Sequence, residues 1–210
     1  MSKGTATVYV IDDDPGVLES LTLMIQGMGL DVKPYPSAEA FLDGCQEFPD
    51  SARCMVLDVC LPGLSGLGLY QMLTAEGRGM PTIMISGCAD IPTAITAMRA
   101  GAVDFLEKPV SDRSLWVRIR EAIDQCVRQR RAAGRKTELS QHVGRLSTRQ
   151  HEVLDLLVAG RRPKQIARQL GIGEKTVAKH RAIVLEKMQV ESVVELVRLF
   201  ADPGTVNNPH

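Results

Sequence analysis

The chain has 210 residues, 44% hydrophobic and 4% aromatic, with 25 Lys and Arg against 25 Asp and Glu. That length allows one or two domains, and the apolar fraction is enough to bury real cores, which excludes disorder as the principal state. Zero net charge excludes nothing, because residues 1–127 hold 9 Lys/Arg and 17 Asp/Glu, giving −8, while residues 128–210 hold 16 and 8, giving +8. An acidic part joined to a basic part of equal and opposite charge points to a nucleic-acid-binding segment.

The first residues, MSKGTATVYV, run into an apolar strand without the apolar region of a signal peptide. No apolar run approaches the roughly 20 residues that span a bilayer, so a cytoplasmic protein with no membrane partner is expected. Apolar runs at 7–11, 31–35, 54–57, 82–85 and 103–106 read as strands. Helical patterns near 15–28, 37–46, 65–76, 91–100 and 112–130 separate them. Strands alternating with helices imply crossover connections, hence an α/β domain built on a five-stranded parallel, doubly wound sheet. The segment Thr82–Ile85 lacks polar alternation, as expected of a strand buried on both faces. The five cysteines (Cys45, Cys54, Cys60, Cys88, Cys126) form no C-x-x-C pair, so reduced thiols are expected and a zinc site is not.

Residues 129–141, QRRAAGRKTELSQ, are polar and basic and read as a linker that extends the preceding helix as far as Gly134. Beyond it the pattern is all helical. Ser147-Thr-Arg-Gln150 has capping-box spacing ahead of Val153, Leu154 and Leu157. Pro163 suits the first turn of a second helix, carrying Ile166, Ala167 and Leu170. Gly171 breaks it, a third helix starts near Glu174 with Val177, Val184, Leu185 and Met188 inward, and a fourth follows from Ser192.

Ligands of a parallel α/β sheet bind outside the carboxyl ends of its strands. Asp12-Asp13-Asp14 follows the first strand, Asp58 the third, Ser86-Gly87 ends the fourth, and Glu107-Lys108-Pro109 follows the fifth. Clustered carboxylates repel, and a hard divalent cation, Mg²⁺ or Mn²⁺, relieves them while keeping waters and phosphate oxygens in its shell. A carboxylate beside such a cation can attack a phosphoryl group to give an aspartyl phosphate. The cation, a lysine and a hydroxyl then neutralise the transferring oxygens. Taken singly these residues read more simply: Asp12 or Asp14 as helix caps, Lys-Pro as a turn, Ser86 as a strand end. All four at the correct strand ends carry the chemical reading.

The strings VYVIDDDPGVLESL, MVLDVCLPGLSG, PTIMISGCAD and AMRAGAVDFLEKP resemble, in order, bacterial response-regulator receiver domains. The resemblance covers about residues 5–126. It implies Asp58 as phosphoacceptor, Asp13 and Asp58 as Mg²⁺ ligands with Asp12 acting through water, and the backbone carbonyl of Cys60 as a further contact. It also implies Ser86 as the hydroxyl that turns toward the phosphate, Lys108 as the charge-neutralising lysine, Phe105 as the switch aromatic and a cis Lys108–Pro109 bond. Asp14 stands where many relatives carry Glu and is assigned to capping or support.

The stretch KQIARQLGIGEKTVAKH places a helix, a glycine turn and a second helix at helix-turn-helix spacing. Lys175, Thr176, Lys179 and Ala182 then lie opposite the inward face, and Arg161, Arg162 and Lys164 lie where cations reach phosphates. A solvated basic bundle face is the simpler reading, but the excess of +8 fits the footprint of a DNA binder. Residues 146–199 closely resemble the LuxR-type DNA-binding domain. Joined to the receiver, they make the chain resemble a NarL/FixJ-family response regulator. The implied organisation is a receiver at 5–126, a helical basic linker at 127–143 and a helix-turn-helix domain at 144–204. The helix near 174–189 would enter the major groove with Lys175, Thr176, Ala178, Lys179 and Ala182 nearest the DNA, flanked by His180 and Arg181, and with Arg162 and Lys164 on phosphates. Gly173, in place of a side-chain cap, weakens the start of that helix by a few tenths of a kcal/mol.

The function expected is therefore a phosphorylation-controlled transcription factor. Its partners are a sensor histidine kinase, a double-stranded operator, a second copy through the face near 90–107, and RNA polymerase. It is not an enzyme beyond transfer of phosphate to its own Asp58 and autohydrolysis of that phosphate. The alternatives are a regulator that ignores phosphate, using the receiver as a scaffold or as a redox sensor through Cys60 and Cys88, and a phosphatase with Asp58 as nucleophile. The complete acidic constellation argues against the first, and the basic helical partner against the second.

Overall fold

The computed structural model describes residues 6–45, 48, 51–87 and 91–201. Cys88, and Asp90 at the edge of the expected dimer face, lie outside the described residues, as do residue 5 and residues 202–204 at the expected domain limits. By its internal contacts the chain divides into two units, Met1–Arg128 and Gln129–His210.

In the first unit β1 (Thr7–Ile11), β2 (Asp31–Tyr35), β3 (Arg53–Asp58), β4 (Thr82–Ser86) and β5 (Asp104–Glu107) alternate with α1 (Pro15–Gly27), α2 (Ala38–Gly44), α3 (Gly66–Ala75) and α4 (Ile91–Arg99), and α5 (Asp112–Gly144) begins after β5. The sheet order is β2-β1-β3-β4-β5 and every pairing is parallel. The strand period of 2 divides the apolar side chains between two layers. Tyr9, Ile11, Met55, Leu57 and Met84 pack with Phe41 of α2, Leu69 and Leu73 of α3 and Ala97 of α4. Val8, Val10, Cys54, Val56, Ile83 and Ile85 pack with Leu21 and Ile25 of α1 and Leu115, Ile119 and Ala122 of α5. Because β1, β3 and β4 are covered on both faces, their sequences show no polar alternation.

The second unit contains α6 (Thr148–Val158), α7 (Pro163–Leu170), α8 (Glu174–Lys187) and α9 (Val193–Ala201). Its core joins Leu146, Val153, Leu154, Leu157, Ile166, Val177, Val184, Met188 and Leu196 to Leu139 of α5. The capping box before α6 is present: Ser147 Oγ accepts from Gln150 N, and Ser147 N donates to Gln150 Oε1 at 3.0 Å. Pro163 opens α7, and Gly171 closes it at φ 65°. No helix among the described residues is long and apolar enough to cross a membrane.

Beyond shifts of one or two residues at other element ends, two differences from the sequence-based expectation matter here. The strand β5 runs one residue later than 103–106, so Glu107 lies within it and Lys108 follows directly. The helix α5 does not end near residue 130 or at Gly134 but continues to Gly144. Its polar stretch is rich in Arg, Gln, Ala and Lys, all good helix formers, and Gly134 opposes it most strongly, by about 1 kcal/mol. Burial of Leu139 and the packing of Val143 in the second core anchor the far end.

The loop from β3 to α3 depends on two glycines. Gly63 holds φ 73°, and Leu64 N donates to Glu39 Oε1 at 3.0 Å beside it. Gly66 donates its N–H to Val59 O at 3.1 Å, and a Cβ there would fall 1.8 Å from the carbonyl oxygen of Asp58. The start of α3 thus presses on the backbone of Asp58. Gly66→Ala is expected to lower the unfolding free energy of the first unit by about 3 kcal/mol. Denaturant titration followed by the fluorescence of Trp116, the single tryptophan, checks this; a loss under about 1 kcal/mol would show that the helix start can step aside.

Candidate functional site

The strand ends converge as the topology requires. Asp12 follows β1 and is fully buried, Asp58 ends β3 at 5% exposure, Ser86 ends β4 at 1%, and Lys108 follows β5. Asp13 is exposed beside them. Carboxylate oxygens of Asp12, Asp13 and Asp58 all lie within 4.8 Å of one another. Lys108 Nζ stands 2.6 Å from Asp12 Oδ2 and 2.5 Å from Asp58 Oδ2. Asp58 Oδ1 accepts from Cys60 N at 2.9 Å, and Asp12 Oδ1 accepts from Asp14 N at 3.1 Å. Lys108 is tied to β4 by its backbone, whose N–H donates to Ser86 O at 2.8 Å.

Three carboxylates face one ammonium, so the site carries an excess of negative charge. Burial is the main force pushing the Asp12 carboxyl above its ordinary range, with the charge of Asp58 adding to it, against the opposing bonds from Lys108 and Asp14 N. Burial also opposes the charge on Lys108, but its bonds to Asp12 and Asp58 outweigh that and raise its pKa. Asp12 Oδ2 is buried and faces the Lys108 ammonium in an ion pair at 2.6 Å. An oxygen-only donor set of three clustered carboxylates with surplus negative charge fits a hard divalent cation such as Mg²⁺ or Mn²⁺.

Around this group Cys60 Sγ lies 3.6 Å from Ser86 Oγ at the exposed rim. Phe105 pairs with Met84 in the sheet register and is half-buried against the β1–α3 side of the core. The Lys108–Pro109 bond is cis. Asp14 caps α1, its Oδ1 accepting from Gly16 N at 2.8 Å and Val17 N at 3.2 Å. Of the remaining thiols among the described residues, Cys45, Cys54 and Cys126 are buried, and burial pushes Cys54 up to about 12. Cys54 therefore lacks the thiolate character of reactive cysteines. Sequence reasoning overlooked Glu39 and Gly66. The S-G pair at 65–66 hints at a close approach, but nothing local links Glu39 to a loop 25 residues away.

The second surface belongs to the helical unit. Val177, Val184 and Met188 point into the core, leaving Lys175, Thr176, Ala178, Lys179, Arg181 and Ala182 exposed along α8. His180 is half-buried, with Nδ1 unsatisfied. Arg161, Arg162 and Lys164 are exposed at the start of α7. Gly173 occupies the N-cap of α8 without a side-chain bond, as the sequence implied. Not every cation is free for a ligand. Arg149 donates to Leu170 O and pairs with Glu152, while Lys187 Nζ donates to Arg145 O at 2.8 Å and Gln150 Oε1 at 2.9 Å. Among the described residues, Lys175, Lys179, Arg181, Arg162 and Lys164 meet no carboxylate at ion-pairing distance.

Comparison with known proteins agrees on both units. The response regulator receiver domain model matches residues 8–120, and the model of bacterial regulatory proteins of the luxR family matches 144–200. The chain is 42% identical to the transcriptional regulatory protein FixJ of Azorhizobium caulinodans, over 91% of this chain and 90% of that protein. It is 39% identical to the response regulator protein TodT of Pseudomonas putida, over 95% and 87%. Among solved structures it resembles the response regulator StyR, with TM-score 0.81, 36% identity and coverage of 94% and 98%. It also resembles full-length FixJ from B. japonicum, with TM-score 0.59, 36% identity and coverage of 98% and 100%.

The raised Asp12 carboxyl has a thermodynamic consequence. The folded chain holds this proton to higher pH than the unfolded chain, whose value is near 3.8. Stability therefore falls as pH rises from about 3.8 through the folded value, and the deficit persists above it. Asp12→Asn removes that deficit. In chelator-treated protein at neutral pH the variant should be more stable by about 1 kcal/mol, the low end of what replacing buried ionic groups yields. The gain should vanish near pH 3, and the variant should lose most of the thermal shift that added Mg²⁺ gives the parent. A less stable variant at neutral pH would show that Asp12 is held by its partners rather than opposed by burial.

Proposed function

This chain belongs to the response regulators that join a receiver to a LuxR-type DNA-binding domain, phosphorylation-controlled transcriptional regulators, and we propose that Asp58 is its phosphoacceptor. It is a transcription factor rather than a conventional enzyme, with a sensor kinase and DNA as partners. The observation that carries the residue assignment is the convergence of Asp12, Asp13, Asp58, Ser86 and Lys108 at the strand ends. The proposed organisation is a receiver at 5–126, a linker at 127–143 and a DNA-binding domain at 144–204.

In this reading a carboxylate oxygen of Asp58 attacks the phosphorus of a phosphohistidine on the kinase. The P–N bond breaks, the imidazole leaves with its electron pair, and an acyl phosphate forms. Cys60 N and Lys108 hold the carboxylate in position before attack. Lys108 then pairs with the new phosphoryl oxygens, and the Ser86 hydroxyl turns from the rim to donate to one of them. Asp13 and Asp58, with the carbonyl of Cys60 and with Asp12 through water, would hold a Mg²⁺ or Mn²⁺ ion, which supplies charge neutralisation for those oxygens when bound. Attack by water on the acyl phosphate restores Asp58, so the protein hydrolyses its own modification.

Movement of Ser86 leaves space toward which the half-buried Phe105 can turn, shifting a pre-existing equilibrium. The face near 90–107 then pairs with a second copy. Support for this face is the exposed stripe Ile91, Ile95 and Met98, spaced three and four residues apart on α4. Paired helical domains would bind a two-half-site operator, with α8 in the major groove and Lys175, Thr176, Ala178, Lys179, His180, Arg181 and Ala182 toward the DNA. Arg162 and Lys164 would reach phosphates, and RNA polymerase contact and a cytoplasmic location belong to the same reading.

Incubation with Mg²⁺ and a small phosphoramidate or acyl-phosphate donor tests it. The expected result is one acid-stable, base-labile adduct, absent from Asp58→Asn and slowed by at least about tenfold in Lys108→Ala, a loss of 1.4 kcal/mol or more of transition-state stabilisation. No adduct from donor or kinase would favour a phosphate-independent regulator. For the second surface, Lys179→Ala should weaken operator binding by roughly tenfold, of order 1–2 kcal/mol, while leaving phosphorylation unchanged. Unaltered binding would refute the placement of α8.

A further inference from the structure

Residues 125–137 contain five cations, Arg128, Arg130, Arg131, Arg135 and Lys136, and no Asp or Glu. All lie within α5. Arg131, Arg135 and Lys136 belong to the helical unit and are exposed. Among the described residues none of these three meets a carboxylate at ion-pairing distance. The next turn of the same helix carries Leu139, 7% exposed and part of the core with Leu146, Val153 and Leu154.

Spacing places the cations relative to that anchor. Arg131 and Arg135 are four residues apart, Arg135 and Leu139 four again, and Lys136 and Leu139 three, so all four side chains lie along one side of the helix. The basic side of α5 is therefore the side that continues into the core of the DNA-binding unit, and Leu139 fixes its orientation there. Like charges at i, i+4 destabilise a helix by a few tenths of a kcal/mol, and Gly134 costs about 1 kcal/mol more. The helix keeps both, although a solvated linker of mixed charge would avoid the repulsion.

We propose that Arg131, Arg135 and Lys136 form a second DNA-contacting surface, binding backbone phosphates alongside the contacts made by α8. The inference rests on the reading of the helical unit as a DNA binder and adds the linker helix to it. The chemistry is that of sequence-independent phosphate neutralisation. The side chains are long and charged, they meet no carboxylate at ion-pairing distance among the described residues, and Arg and Lys are the side chains that take backbone phosphates. A polyanion relieves the repulsion along the stripe. A single phosphate would not span the roughly 7 Å that five helical residues rise, whereas successive backbone phosphates do.

Salt dependence distinguishes this surface from others. Each neutralised phosphate adds about 0.9 to the slope of log K against log salt. Full-length chain, phosphorylated and unphosphorylated, is titrated by fluorescence anisotropy onto a mixed-sequence duplex over a salt series. The variant Arg131→Gln/Arg135→Gln/Lys136→Gln should reduce the slope magnitude by about 2 to 3, with unchanged helical circular dichroism because Gln matches Arg and Lys in helix propensity. Replacing both arginines by Lys should retain the slope. On an operator found by footprinting, the Gln variant should lose the same slope, leaving the ratio of specific to non-specific affinity unchanged. A steep, unaltered slope in the Gln variant overturns the proposal and leaves an acidic protein surface as the partner. A parent chain without salt-dependent DNA binding overturns the DNA-binding reading itself.

Discussion

A lysine ammonium held between two buried carboxylates governs the rest of the first unit. Lys108 reaches Asp12 Oδ2 and Asp58 Oδ2 at nearly equal distances, yet one positive charge cannot balance two buried and one exposed carboxylate. The arrangement leaves an excess of negative charge, which is what the proposed cation would neutralise. If Asp58 is phosphorylated as proposed, the same lysine that steadies the carboxylates beforehand would already be within reach of the new oxygens. Pairing to Lys108 and the Cys60 N–H restrains Asp58, so on the proposed reading little rearrangement of that carboxylate would precede attack.

The sheet makes that arrangement possible at low cost in backbone order. With the order β2-β1-β3-β4-β5, the three central strands deliver Asp12, Asp58 and Ser86 side by side, and β5 adds Lys108 at the edge. The hydrogen bond from Lys108 N to Ser86 O couples the lysine to the hydroxyl strand. A change at Ser86 is therefore felt where Phe105 lies three residues before Lys108. On the other side, Gly66 lets α3 start against the carbonyl of Asp58, so the loop carrying Cys60 has little freedom.

Much of this was legible in the sequence because it follows from periodicity and from strand ends. Buried parallel strands appear as unbroken apolar runs, and the first polar residues after them mark the ligand rim; Asp12, Asp58, Ser86 and Lys108 were found that way. What was hidden depends on long-range contact. The register of β5 is set by pairing with β4, which moved the strand one residue beyond its apolar run. The helix α5 passes Gly134 because Leu139 and Val143 find a core that local propensity cannot reveal. The role of Glu39 rests on a single bond to Leu64 N, which no spacing in the sequence announces.

The division of charge also separates two kinds of electrostatics. The carboxylates of Asp12 and Asp58 are buried, and Lys108 is only 18% exposed, so bulk salt screens their interactions weakly. The cations of α8 and of the basic stretch of α5 are exposed and lie in the regime where a Debye length near 8 Å at physiological ionic strength sets their reach. The ion pairs of Lys108 in the first unit are thereby less sensitive to ionic strength than the exposed cations that serve DNA binding in the second. A neutral chain in which both functions shared one surface could not have that independence, since any salt change that tuned binding would also shift the balance around Asp58. The equal and opposite charges of the two halves sum to zero, but on the proposed reading each half would meet a different counter-charge: a small hard cation at the strand-end rim, and a long polyanion along an exposed helix face.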